Sequence, residues 1–210
     1  YIPKTLSCQP KNTSSYLNNP QMSPYYLTTI SITNAILPHY RLPTAPQFEI
    51  WRIPAENIFT CSWLAYMKSL ELEINHAMVF YRNYSNQRNT PHQDLESNGK
   101  PCNFALNWCI GGSDSHMVWY ETPLDWNSSS THLIKSKTPY RLSKTKNLQE
   151  IARYTVPDSL TLVNTAIPHT VIMGSEPRWC ISARTVRDPS SITWTEIVEI
   201  MREKQLVIET

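Results

Sequence analysis

Six short runs of apolar, β-branched and aromatic residues set the strongest limit on how this chain can fold. They are Ala77-Met78-Val79-Phe80-Tyr81, Phe104 to Ile110, Met117-Val118-Trp119-Tyr120, Leu160-Thr161-Leu162-Val163, Thr170-Val171-Ile172-Met173 and Trp179-Cys180-Ile181-Ser182. Each is strand-length, too short for an ordinary helix, and bounded by turn residues. Many short strands at such spacing predict a sandwich or jelly roll, in which successive side chains alternate between an inner and an outer face. Helical signals are confined to two places. Residues 55–73 carry Ile58, Trp63, Leu64, Met67 and Leu70 partly at helical spacing, which predicts one helix. Near the end, Thr193 and Glu196 make a capping box, with Ile192 and Ile197 as its hydrophobic staple. Trp194, Ile197, Val198 and Met201 then form one apolar stripe, predicting a helix over about 194–204. The fold class expected is mostly β (α+β) with flanking helices.

The 210 residues, 40% of them hydrophobic, suffice for one well-buried catalytic domain, 1–210, and are too few for two generous ones. Its core is expected over about 76–187. Residues 1–48, rich in Pro, Ser, Thr and Asn and holding a strand near 28–32, are expected to wrap that core. A net charge of +2 gives no strong field for nucleic acid or an anionic membrane, so nucleic acid is a disfavoured partner without being excluded. No apolar stretch approaches 18 residues, so no membrane span is expected. The five cysteines, at 8, 61, 102, 109 and 180, are odd in number and widely spaced, without Cys-x-x-Cys. That pattern argues against a disulfide framework or zinc finger, and for a reducing, cytoplasmic location. Oligomeric state is not legible.

The chemistry concentrates in Thr90-Pro91-His92-Gln93-Asp94, Ile167-Pro168-His169-Thr170 and Arg178. One residue separates His92 from Asp94, so on a strand both side chains project to the same face and one metal ion can take both. His169 follows the strand-like run at 160–163 and supplies a third ligand. Two imidazoles and one carboxylate on one side of a metal leave the opposite positions open, as in non-haem Fe(II) oxygenases. Along 178–184 the period of two puts Arg178, Cys180, Ser182 and Arg184 on one face and Trp179, Ile181 and Ala183 on the other.

This ordered set, His-x-Asp, a long interval, a second His and a basic residue about ten positions on, resembles the Fe(II)/2-oxoglutarate-dependent dioxygenases. The resemblance covers roughly residues 76–187 and implies a double-stranded β-helix, a jelly roll with flanking helices. It implies that His92, Asp94 and His169 are the catalytic metal ligands. It also implies that an arginine grips the far carboxylate of 2-oxoglutarate, because a planar guanidinium matches a carboxylate bidentately. Arg178 is favoured for that role and Arg184 stays open, with Ser182 adding a hydroxyl contact from the same face. Tyr81 and Asn107 are further candidates for binding 2-oxoglutarate, while Asn164 shapes the turn before His169.

The activity so implied is that of a dioxygenase using Fe(II), 2-oxoglutarate and O2. It would couple decarboxylation of 2-oxoglutarate to succinate with hydroxylation of a small molecule or a peptide side chain. The polar connection at 127–146 is the expected location of substrate specificity. Two other readings fit the same residues: a cupin-like metal-binding protein or isomerase that needs no 2-oxoglutarate, and a non-catalytic jelly roll in which the triad is coincidental.

Overall fold

The computed structural model describes residues 27–29, 34–83, 90–96, 98–123, 126, 131–133, 139–142, 148–185 and 189–208. In chain order the elements are β1 (Leu27–Thr29), β2 (Glu49–Pro54), α1 (Cys61–Ser69), β3 (Ile74–Arg82), β4 (His92–Asp94), β5 (Ala105–Ile110), β6 (His116–Tyr120), β7 (Thr131–Leu133), β8 (Pro139–Leu142), β9 (Glu150–Thr155), β10 (Leu160–Val163), β11 (His169–Ile172), β12 (Arg178–Thr185) and α2 (Trp194–Glu203). They form two six-stranded sheets, ordered β1-β10-β5-β12-β3-β2 and β7-β8-β4-β11-β6-β9, with antiparallel pairing throughout. From β3 to β6, and again from β9 to β12, successive strands step from one sheet to the other. This is a double-stranded β-helix, as expected. The β7–β8 hairpin is inserted between β6 and β9 and extends the second sheet beside β4.

All six expected strands form. The expected helix over 55–73 is shorter, a 3-10 turn at Ala55–Asn57 followed by α1. The interruption has a tertiary cause: residues 58–60 bond to the chain at 34–37 instead of continuing a helix. Leu37 N donates to Ile58 O at 2.7 Å, Thr60 N donates to Ala35 O at 2.8 Å, and Ile36 bridges Phe59. Thr60 then caps α1, accepting from Trp63 N at 3.3 Å. The capping box of Thr193 and Glu196 is present as expected. Of the strand expected near 28–32, residues 27–29 are strand and 30–33 lie outside the described residues.

The main core lies outside the sandwich, between the first sheet and the helices. Trp63 and Met67 of α1 and Ile197, Val198 and Met201 of α2 cover Leu106, Trp108, Leu162, Ile181 and Ala183. Phe59, Trp63 and Trp108 make a three-ring contact with centroids 4.5–5.2 Å apart. The segment 34–48 wraps this side: Ile36, Tyr40 and Leu42 pack on the core, and Pro43 O accepts from Trp179 Nε1 at 2.8 Å. A smaller cluster, Cys109, Met117, Trp119, Val156 and Val163, fills one part of the space between the sheets. No helix among the described residues is long and apolar enough to cross a membrane.

Candidate metal centre and cavity

Strand pairing assembles the triad. β11 lies between β4 and β6, with His169 directly opposite His92 and Asp94 opposite Tyr140 of β8. One ligand atom from each of His92, Asp94 and His169 falls within 4.8 Å of the others, and His92 Nε2 is 3.6 Å from Asp94 Oδ1. That spread suits one small ion bound at about 2.0–2.2 Å by each.

Both imidazoles are oriented by backbone carbonyls. His92 Nδ1 lies 3.0 Å from Thr90 O, and His169 Nδ1 lies 2.9 Å from Ile167 O. A carbonyl can only accept, so each Nδ1 carries the proton and each Nε2 lone pair is left for a metal. Burial first, and then the neighbouring His92, push the His169 pKa down to about 4, which keeps that ring in its neutral, ligating form. Burial pushes the Asp94 carboxyl upward, but His169, His92 and Arg184 together outweigh it and hold the group below the usual carboxylate range.

Gln93, between the two ligands on the opposite face of β4, holds that three-residue strand in place. Its amide donates to Ala166 O and accepts from Trp126 Nε1 at 2.9 Å and Arg141 Nη1 at 3.2 Å. Asn164 shapes the turn before His169 as expected: its Oδ1 accepts from Ala166 N at 3.2 Å, and its O accepts from Trp119 Nε1 at 2.8 Å.

The triad lines a cavity of about 280 Å³ between the sheets. Arg178, Cys180, Ser182 and Arg184 all face it, in the phase read from the sequence, and Asn107 faces it from β5. Arg184 is near enough to Asp94 to lower its pKa, whereas Arg178 lies among Arg82, Cys109 and Cys180. Three buried atoms on this wall have no hydrogen-bond partner among the described residues: Arg178 Nη1, Arg184 Nε and Asn107 Oδ1. Buried polar groups are ordinarily satisfied, so two orphan donors and an acceptor on residues that line one cavity make this wall the candidate place for a polar ligand.

Tyr81 is placed elsewhere. Its side chain is on the outer face of β3, stacked on Trp179 with centroids 5.0 Å apart, so it does not reach a ligand in the cavity. Strand alternation is the reason, because Phe80 and Arg82 take the inner positions. Arg82 is a cavity residue the sequence reading missed. Its guanidinium is 5.0 Å from the Phe48 ring centroid and 5.7 Å from that of Phe80, and burial and then the repulsion of Arg178 lower its pKa to about 10. Alternation along Phe80-Tyr81-Arg82 puts Tyr81 and Arg82 on opposite faces, and the folded sheet turns Arg82 inward. Of the connection at 127–146, residues 131–133 and 139–142 are strand, Tyr140 and Leu142 line the cavity, and the rest lies outside the described residues.

Fold and triad together define a jelly-roll protein, a double-stranded β-helix, with a candidate metal centre. The chain matches no protein-family model and no curated protein. Solved structures similar to it include procruciferin, an 11S globulin from Brassica napus (12% identity over 72% of this chain and 28% of that one, TM-score 0.31). Others are the coconut allergen cocosin (12%, 68% and 28%, TM-score 0.31) and E. coli YcfD (13%, 65% and 32%, TM-score 0.34). The chain thus spans about a third or less of each, and at such TM-scores the fold assignment rests on the strand order itself.

Proposed function

We propose that this chain is an Fe(II)/2-oxoglutarate-dependent oxygenase acting on a small molecule or a peptide side chain. One observation carries the reading: Arg178, buried and with its Nη1 unpartnered among the described residues, lines the same cavity as the His-Asp-His triad. A metal site alone needs no such group, whereas an oxoacid bound at the metal presents a distal carboxylate to be met.

His92, Asp94 and His169 would hold the iron, with the Nε2 atoms of both imidazoles already directed by backbone carbonyls. Arg178, remote from the triad along β12, is the partner for the distal carboxylate, and Asn107 and Ser182 lie on the same wall. Arg184 sits beside Asp94 and serves the charge balance of the metal end. Bound iron and 2-oxoglutarate would supply O2 activation coupled to decarboxylation and oxidation of a substrate C–H bond. The residues' share is to orient those groups and, through Phe48, Ile50, Phe80 and Val171, to present an apolar wall to the substrate.

Calorimetric titration of 2-oxoglutarate into the chain, with and without a redox-silent divalent ion such as Mn(II), tests the reading. Binding that requires the ion and weakens in Arg178→Ala is the expected result. Ion binding that leaves the chain indifferent to 2-oxoglutarate would favour the cupin-like alternative, which shares the triad and needs no arginine.

A further inference from the structure

At the end of the cavity away from the triad, Cys109 of β5 and Cys180 of β12 stand directly opposite each other on neighbouring antiparallel strands. Cys109 N donates to Ser159 O on the β10 side, at 3.4 Å. In an antiparallel strand a residue's N–H and C=O point the same way, so Cys109 and Cys180 form a non-hydrogen-bonded pair. Such pairs have the closer Cα separation, about 4.5 Å, and their side chains share a face. A disulfide accepts Cα separations of about 4.4–6.8 Å, so this register permits one without moving the backbone. Both thiols are free.

Arg178 Nη2 donates to Cys109 Sγ at 2.7 Å, and Cys180 lines the cavity. We propose that Cys109 and Cys180 form a redox-active dithiol, which a peroxide entering the cavity converts to a cross-strand disulfide. The hydrogen bond from Cys180, and then the charges of Arg178 and Arg82, outweigh burial and bring the Cys109 pKa to about 6, while Cys180 is raised. At neutral pH the two sulfurs therefore share one proton. Arg178 and Arg82 favour the thiolate at either sulfur, so the shared negative charge can pass to Cys180 when the proton moves to Cys109.

The chemistry balances with hydrogen peroxide as oxidant. Cys180, the sulfur facing the cavity, passes its proton to Cys109 and attacks one peroxide oxygen. The O–O bond breaks, hydroxide leaves, and Cys180 becomes a sulfenic acid. The Cys109 thiol then attacks that sulfur, the S–O bond breaks, and the hydroxyl departs with the thiol proton as water. The pair loses two electrons, and Arg178 loses its anionic partner.

The test uses the whole reduced chain with metal chelated, treated with hydrogen peroxide and quenched by alkylation before peptide mapping. Neither iron nor 2-oxoglutarate is needed, so the result is independent of the proposed activity. A disulfide-linked peptide joining Cys109 to Cys180 is expected, lighter by two hydrogen atoms and restored by dithiothreitol. In Cys109→Ser the link should be lost and dimedone should trap sulfenic acid on Cys180. Both thiols remaining alkylatable after peroxide would overturn the inference, as would preferential linkage through exposed Cys61 or through Cys102.

Discussion

The two faces of the six-stranded sheet are made by the same strands and differ in almost every physical respect. On the outer face, Trp108, Ile181 and Ala183 meet Phe59, Trp63, Ile197 and Met201 in a buried apolar layer. On the inner face, one residue along, Asn107, Arg178, Cys180, Ser182 and Arg184 line a cavity, and Asn107 Oδ1, Arg178 Nη1 and Arg184 Nε have no hydrogen-bond partner among the described residues. The outer face secures the fold, which leaves the inner face to carry polar groups that packing alone does not require.

The largest effect should come from the outer face. Trp108→Ala removes the ring that joins Phe59 and Trp63, and should cost about 3–5 kcal/mol of stability in urea denaturation. A loss below about 1 kcal/mol would mean this layer is not the main support.

Next comes acid. Folding depresses the His169 pKa from its ordinary 6.5 to about 4, so the unfolded chain binds more protons between those values. The contribution of His169 is complete above about pH 6.5 and fades as pH falls to about 4, a change on the order of 3 kcal/mol in the metal-free chain. Denaturant midpoints of the wild type and His169→Gln should therefore converge on acidification, and parallel curves would break the assignment.

The cavity face is probed by its arginines. A charge-assisted contact is worth about 1.5–3 kcal/mol, so Arg178→Ala should weaken 2-oxoglutarate binding by roughly tenfold to a hundredfold. Arg184→Ala should do less, and the reverse order would move the carboxylate to the triad end. The smallest effect belongs to the helix that closes the outer layer: Thr193→Ala removes the capping box and should cost about 1 kcal/mol without altering ligand affinity.

What could be read from the sequence follows the same division. Alternation along 178–184 placed Arg178, Ser182 and Arg184 correctly on the inner face, because a strand's period is rigid. The same rule sets Tyr81 and Arg82 on opposite faces of β3 without saying which is inner, and in the fold Arg82 lines the cavity while Tyr81 packs on Trp179 outside. The role of Gln93 depends on Ala166, Trp126 and Arg141, three groups from distant segments, so no local pattern announced it. The break before α1 was hidden for a similar reason, since residues 34–37 supply the competing hydrogen bonds. Proximity of Cys109 to Cys180 needed the β5–β12 register, which only the folded sheet supplies.

The fold brings His92, Asp94 and His169 together as one candidate metal site before any ion binds. Anaerobic Fe(II) titration of the wild type and His169→Ala, with circular dichroism confirming that both are folded, tests it most directly. One equivalent bound by the wild type and none by the folded variant is the predicted result. Stoichiometric iron on His169→Ala would contradict it.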